Sequence, residues 1–514
     1  MLWKFYSIYF SVSYFFIYFY VRARILNERL YKLKKIFNYL SENFIPFVYS
    51  SLSNVEPELG NEKNLNLMEN SRRNFMKRSL AGSAIAVAGG ILPGFSALSY
   101  NRIMGSNEKI RVSMMGVNSR GFALAQTFAQ QTNCDVVHVC DVDRRAIDKC
   151  RKALGGLQDI QTKEFKDFRQ SLESKDIDAM VIAAPDHWHA PAALLAIQAG
   201  KHVYVEKPCS HNPNEGEILV KASSRYGKVI QMGNQRRSYP NIIQGIQELK
   251  EGVIGRVYFG KGWYTNNRGP IGVGKEIAAP EWLDWNLWQG PAPRKSLKDN
   301  TIHYNWHWNW HWGTGEALNN GTHMIDLLRW GMGVDYPVRV SSNGGRFRYH
   351  DDWETPDTQV INLDFKEGVS MTWEGRSCNG RHIEGSSVGA MFYGEKGCML
   401  LDGGNSYILF DLNNKIIKEV KQAQKIDARN LANPSGSLDG IHVQNFFDSI
   451  NNKDILHADI HSGHKSTLLM QLGNIAQRIG HSLETDPETG RILKDKEALK
   501  YWSRSYEKGW ELKL

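Results

Sequence analysis

Lys207 closes an apolar, β-rich run in "GKHVYVEKPCSHNPNEG" (200–216), with Glu206 before it and Pro208 after it. Pro208 fixes its own φ, removes a ladder donor and biases Lys207 toward extended backbone. A lysine aimed from a strand's carboxyl end beside a carboxylate suits an anchored ion pair or an acid–base group. A second constellation lies upstream: Gly116, Asn118 and Gly121 fall on the spacing of a G-x-G-x-x-G fingerprint, with Asn in the second place. Asn tolerates positive φ better than most residues, so the turn survives that change. The pattern predicts a diphosphate resting on the N-terminus of the following helix, with Arg120 near it. Asp141, at the end of the next strand, stands where an acid binds the adenosine ribose hydroxyls, which argues for NAD over NADP. "HYNWHWNWHWGTGE" carries His303, His307 and His311. His307 and His311 could share a metal only on a helix, and Gly313, Gly315 and the His/Trp alternation argue for a pocket-lining strand or loop, so no metal is expected.

These residues need elements to hold them. "KIRVSMMGVNSRGFALAQTFAQ" reads as strand, tight turn and helix; "CDVVHVCDVD", "DIDAMVIAAPDHWHA" and "KHVYVE" read as further strands separated by helical stretches. Strand–helix alternation at this period implies an α/β fold with a parallel, doubly wound sheet. Ligands of such sheets sit beyond the carboxyl ends of the strands. Asp141, Pro185 to His189 and Glu206 to Pro208 all fall at that edge, which points Lys207 into the cofactor crevice.

The 514 residues are enough for two or more domains with full cores. Much of the net charge of +9 lies upstream of Tyr100, and beyond it Lys and Arg are interspersed with Asp and Glu. No nucleic-acid footprint results. The six cysteines show neither CxxC nor CxH spacing, so neither a zinc site nor a disulfide framework is expected. Tryptophans concentrate between Trp263 and Trp330, a density that suits either stacking on sugar rings or a large aromatic core.

The front end reads as separate from the fold. "SRRNFMKRSLAGSAIAVAGGILPGFSALS" has the paired arginines (Arg72, Arg73), the Ala/Gly-rich apolar run and the small residues of a twin-arginine export signal, assigned to 68–97. Such cargo is exported already folded, which lets a protein take up its cofactor in the cytoplasm and work in the periplasm or cell envelope. Residues 1–67 include an aromatic apolar run ending in Arg22 and Arg24. It reads as an upstream extension outside the mature protein, with translation starting at Met68, or else as a membrane tether.

The G-x-N-x-x-G turn, the strand ending near Pro185 and His189, and "AGKHVYVEKP" together resemble the Gfo/Idh/MocA oxidoreductases. The resemblance runs from Lys109 to the C-terminus. It implies a Rossmann domain, placed at 108–232, followed by an α/β domain at 233–514 with a large open, mostly antiparallel sheet carrying the substrate site. It implies that Lys207 is catalytic beside a nicotinamide. "WGTGEALNNGTHMIDLLRW" resembles the family's approach to its catalytic histidine, which His323 matches; Asn319 stands where many members have Asp, and Asp326 lies on the same helix face as His323. With "GNQRRSYPN", "GWYTNNRGPIG" and "LDWNLWQGPAPR", the His/Trp block resembles an exported subgroup associated with glycosides. The resemblance thereby makes Arg236, Trp263, Tyr264, Asn266, Arg268, Tyr304 and His307 candidate sugar contacts. Homo-oligomers are expected by the same analogy.

The expected activity is hydride transfer from a ring hydroxyl of a sugar or glycoside, with C3 the expected carbon, to tightly bound NAD. Lys207 would polarise the hydroxyl and His323 take its proton, unaided by a carboxylate at position 319. A cationic nicotinamide nearby would lower the lysine's pKa. Two alternatives stay open: an NAD-dependent glycosidase working by transient C3 oxidation and elimination, and a non-catalytic sugar-binding protein on a dehydrogenase scaffold.

Overall fold

The computed structural model describes residues 109–422 and 438–514. The expected export signal and upstream extension lie outside the described residues. No helix among the described residues is long and apolar enough to cross a membrane.

The first half alternates strand and helix as its periodicity predicts. The strands are β1 (Ile110–Met115), β2 (Cys134–Cys140), β3 (Lys163–Phe165), β4 (Ala179–Ile182), β5 (His202–Val205) and β6 (Ile230–Met232). The helices between them are α1 (Arg120–Ala129), α2 (Arg144–Leu154), α3 (Phe168–Leu172), α4 (Asp186–Gln198) and α5 (Pro213–Tyr226). All pairings are parallel, in the order β3-β2-β1-β4-β5-β6. Runs such as Ala179–Ile182 are buried throughout because helices cover both faces. Local signals set the helix ends: Asp143 accepts from the Arg145 N–H to cap α2, and Asn212 accepts from the Glu215 N–H to cap α5. Strand order reverses between β1 and β4, so a crevice opens there at the carboxyl edge.

The second half contains α6 (Pro240–Lys250), β7 (Val257–Thr265), β8 (Glu276–Ile277), α7 (Trp285–Gln289), β9 (Leu297–Lys298) and α8 (Thr322–Met332). Then come β10 (Arg339–Gly345), β11 (Thr358–Phe365), β12 (Val369–Arg376), β13 (Val388–Gly394), β14 (Cys398–Leu401), β15 (Tyr407–Phe410) and β16 (Ile416–Val420). The described chain ends with α9 (Leu438–Ile450), α10 (Ile460–Ile479) and β17 (Leu483–Glu484). Nine of these strands form one sheet, β16-β15-β14-β13-β7-β12-β11-β10-β17, antiparallel except where β7 lies beside β12. On β11, Gln359, Ile361, Leu363 and Phe365 alternate inward, the two-residue period of a sheet covered on one face. Helix α8 lies on that face at close range: a Cβ at Gly262 would meet the Met324 Cβ at 3.0 Å.

The tail segment "SGHKSTLLMQLGNIAQRIG" forms most of α10. Helix α9 returns to the first sheet, where Phe446 and Phe447 join a core with Phe128 and Tyr204. The two domains are therefore successive in the chain but share packing, which fixes the second domain's residues over the crevice of the first.

Candidate functional site

The turn after β1 shapes one end of the crevice. Gly116 holds φ +80° and lies so close to β4 that a Cβ would stand 2.7 Å from the Ala184 nitrogen. A Cβ at Gly121 would stand 1.7 Å from the Gly116 oxygen. Both glycines are thus required sterically. Ser119, the residue before α1, makes no side-chain capping bond, and the orphan N–H groups there open onto the cavity that Asn118 and Ser119 line. A diphosphate group fits that donor set. Asp141 spends one lone pair of each carboxylate oxygen on a turn, accepting from the Val117 N–H at 2.7 Å and the Asp143 N–H at 2.9 Å. Lone pairs remain for a ribose hydroxyl. Burial holds its pKa above the usual carboxylate range.

A single cavity of about 250 Å³ runs from this turn to the second domain. Gly116, Asn118, Arg120, Asp141, Pro185, His189, Glu206, Lys207, Arg236, Tyr264, Tyr304, His307, Asn319 and His323 line it. Arg120 is anchored within the protein, its Nε on Glu206 at 2.8 Å and its Nη1 on Asp439 at 2.6 Å. This tie couples the Gly-rich turn, the end of β5 and α9. His189 has Nδ1 2.6 Å from the Pro208 oxygen and Nε2 2.7 Å from the Ala184 oxygen, pinning the backbone after Lys207 to the end of β4.

The other end of the cavity brings together residues far apart in the chain. Lys207 Nζ donates to the Asn319 backbone oxygen at 2.7 Å and to its Oδ1 at 3.0 Å. Neither partner is a carboxylate. Burial pushes the lysine pKa down, with Glu206 and Asp186 pulling the other way. His323 is buried, and its pKa falls well below that of free histidine, first through burial and then through the cations of Arg236 and Lys207. Its Nδ1 has no hydrogen-bond partner. Asp326 serves another purpose: it takes a bidentate pair from Arg237 at 2.7 and 2.8 Å and a bond from Ser466.

The His/Trp block forms a short 3₁₀ turn, Asn305–Trp308, within a loop. His307 Nδ1 lies 2.6 Å from the Tyr304 oxygen, and since a carbonyl only accepts, Nδ1 carries the proton and Nε2 the lone pair. Its ring stacks on Trp306 at 3.6 Å, and burial lowers its pKa to about 3. His311 turns away, with Nε2 2.7 Å from the Pro293 oxygen. No group of three metal-ligating side chains occurs among the described residues.

Several candidate sugar contacts need sorting. Trp263 is fully buried on the other side of β7, packed with Met391 and Leu400 and donating to the Ser386 oxygen. Its removal from the site is a correction: side chains alternate along a strand, so Trp263 and Tyr264 cannot both face the cavity. Arg268 and Asn266 support the wall: Arg268 pairs with Glu316 at 3.0 Å and reaches the Tyr264 hydroxyl at 3.2 Å, and Asn266 donates to that hydroxyl at 2.7 Å. Two further acids, to which the sequence assigns no role, belong to the site. Glu316 is buried and receives Arg268, Ser377, Asn319 and Asn320. Asp186 lines the cavity, accepts from Thr314 at 2.5 Å and has its pKa raised by burial. Their signal was their position, an acid inside the Gly-rich stretch before His323 and one directly after Pro185.

Comparison with known proteins agrees with this layout. Residues 110–234 match a family model described as an oxidoreductase family with an NAD-binding Rossmann fold, and 257–512 match its C-terminal alpha/beta domain. A glycosyl hydrolase family 109 protein of Saccharopolyspora erythraea is 29% identical over 227 residues, covering 41% of this chain and 49% of the relative. The chain thus spans about half the length of the first curated relatives it matches. An alpha-N-acetylgalactosaminidase of Tannerella forsythia is 21% identical over 422 residues, covering 75% of this chain and 89% of the relative. Among solved structures, the WlbA dehydrogenase of Bordetella pertussis, in complex with NADH and UDP-GlcNAcA, superposes with a TM-score of 0.55 at 20% identity, covering 74% of this chain and 99% of the other. At that identity the likeness concerns the fold.

Proposed function

The chain belongs to the Gfo/Idh/MocA family of NAD-binding oxidoreductases, and from that premise we propose that it acts on a glycoside by oxidising a ring hydroxyl. The observation that carries the reading is Lys207 Nζ, held by two oxygens of Asn319 in the same cavity as the neutral His323. When bound, NAD supplies the hydride acceptor. The chain supplies the rest. Lys207 has two of its donor directions committed to Asn319, leaving the third for the oxygen of the reacting hydroxyl. That contact polarises the O–H bond, and His323, kept unprotonated by burial, accepts its proton. The aromatic wall of Tyr264 and Tyr304 offers faces for a sugar ring.

A second reading is that the enzyme completes a hydrolysis. The favouring observation is His307, a second unprotonated histidine in the cavity whose Nε2 lone pair is left free by the Nδ1 bond to Tyr304. The names of two relatives favour it as well. A ketone at C3 acidifies the C2 hydrogen. His307 then takes the C2 proton, the electron pair expels the aglycone from C1, and water adds to C1 as C2 regains a proton. Return of the C3 ketone to the alcohol makes the cycle redox-neutral, which suits a protein exported with its cofactor, as Arg72 and Arg73 suggest.

One experiment separates the readings. The purified chain is mixed with methyl α-glucoside or with nitrophenyl α-N-acetylgalactosaminide, without added NAD, and the reduced-nicotinamide band and free nitrophenol are recorded. A lasting band supports oxidation. Nitrophenol release with no lasting band supports hydrolysis. Failure of both across a panel of glycosides, with NAD present in the denatured extract, overturns the glycoside reading.

A further inference from the structure

The second domain sends one segment back across the dinucleotide end of the cavity. The Arg144 N–H donates to the Trp282 oxygen at 3.0 Å and the Asp284 N–H to the Val142 oxygen at 3.0 Å, so Asp143 and Leu283 form an antiparallel bridge. Side chains close over this bridge. The Arg145 guanidinium lies 3.3 Å from the centroid of the Trp282 ring, and its Nη2 reaches Asp143 at 2.9 Å. His303, at the far end of the same segment, places Nε2 2.7 Å from the same Asp143 carboxylate.

The inner side of the segment matters as much as the outer. Leu287, Trp288 and His303 line the cavity along with Asp141, Val142 and Lys166. Behind them Leu283, Trp288, Ala292 and Leu297 are buried in a small core that Trp306 and Trp312 complete, so the segment lies on the cavity as part of a packed unit. The β2–α2 turn carries both Asp141, the ribose-binding candidate, and Asp143, the residue that the segment grips.

We infer that residues 282–303 form a retaining strap that closes over the adenosine end of bound NAD, latched at Asp143 by Arg145, Trp282 and His303. The inference rests on the NAD assignment and adds that the cofactor does not exchange while the latch is shut. The Arg145 side chain is 56% exposed and stacks on Trp282 from the solvent side, whereas the Asp143 carboxylate beneath it is buried, so the latch opens from its outer face first.

The test measures cofactor exchange. The full chain is saturated with NAD, freed of excess by gel filtration, and challenged with isotopically labelled NAD; bound dinucleotide is then read by mass spectrometry after denaturation. Exchange is expected to take hours in the wild type and to accelerate at least ten-fold in Asp143→Asn, which keeps an α2 cap acceptor, and in Trp282→Ala with Arg145→Met. Circular dichroism checks that each variant is folded. Arg256→Ala, which breaks an exposed surface pair with Glu395 outside the cavity, is expected to exchange as slowly as wild type. Complete exchange of the wild type within seconds, or folded latch variants as slow as the wild type, overturns the strap and leaves the NAD reading intact. Absence of any bound dinucleotide overturns both.

Discussion

Lys207 and Asn319 meet across 112 positions of sequence, the ammonium nitrogen 2.7 Å from the backbone oxygen and 3.0 Å from the amide oxygen. A carboxylate at this position would neutralise the lysine. An amide orients it without adding a countercharge, and burial lowers its pKa against the pull of Glu206 and Asp186. Asn319→Asp is therefore expected to raise the Lys207 pKa. The limb of the rate profile that reports the lysine should move to higher pH, by about one unit for a partly screened pair at that range. An unmoved limb would mean that Lys207 does not titrate in the working range.

Lys207→Ala should reduce oxidation of a glycoside about 10²- to 10⁴-fold, the span of a lost acid–base contact, while leaving the dinucleotide content of the purified protein unchanged. The check is the reduced-nicotinamide band beside the dinucleotide released on denaturation. Loss of both together would move Lys207 from chemistry to cofactor binding.

His323→Asn and His307→Asn are expected to differ. The first should suppress the band by a similar factor, since the hydroxyl proton has lost its acceptor. The second should leave the band and suppress aglycone release if the hydrolytic reading holds. Equal effects of both variants on the band would assign His307 to the oxidation step.

Stability should fall on the acid side of neutrality. Burial lowers the pKa of His307 to about 3 and of His442 and His464 to about 4. The unfolded chain binds protons at these residues near pH 6.5, so between that value and the folded pKa the unfolded state holds more protons. Stability is then complete above about pH 6.5 and declines as pH falls, each histidine contributing up to about 1.4 kcal/mol per pH unit. Melting temperatures from pH 7.5 to 5.0 should show this slope, and His464→Gln should flatten it.

Arg237 and Asp326 form a buried bidentate pair joining the segment after β6 to α8, the helix that carries His323. Arg237→Met leaves a buried carboxylate without its cation and should destabilise the protein by about 3–5 kcal/mol. Denaturant unfolding measures this directly, and a change below about 1 kcal/mol would show that Ser466 and Arg329 suffice to hold Asp326.

The alternation of β-rich runs with helical stretches was enough to predict a parallel sheet, and the sheet's carboxyl edge then placed Gly116, Asp141, His189 and Lys207 on one crevice. These are local matters: a turn that excludes a Cβ, a strand that ends on a lysine, a helix that starts uncapped. Composition and spacing could not choose partners. Asp326 sits on the same helix face as His323 in the sequence, yet it binds Arg237 and does not line the cavity, because of the way α8 packs on the sheet. Trp263 and Tyr264 are neighbours with equal claim to a sugar, and only the register of β7 sends one inward and the other into an opposite core. Glu316 became legible only when folding gathered Arg268, Ser377 and Asn319 around it, and the strap at Asp143 exists only because the second domain returns to the first. Element identity follows from short-range sterics and hydrophobic period, which a sequence displays; the pairing of chemically equivalent groups is decided by tertiary packing, which it does not.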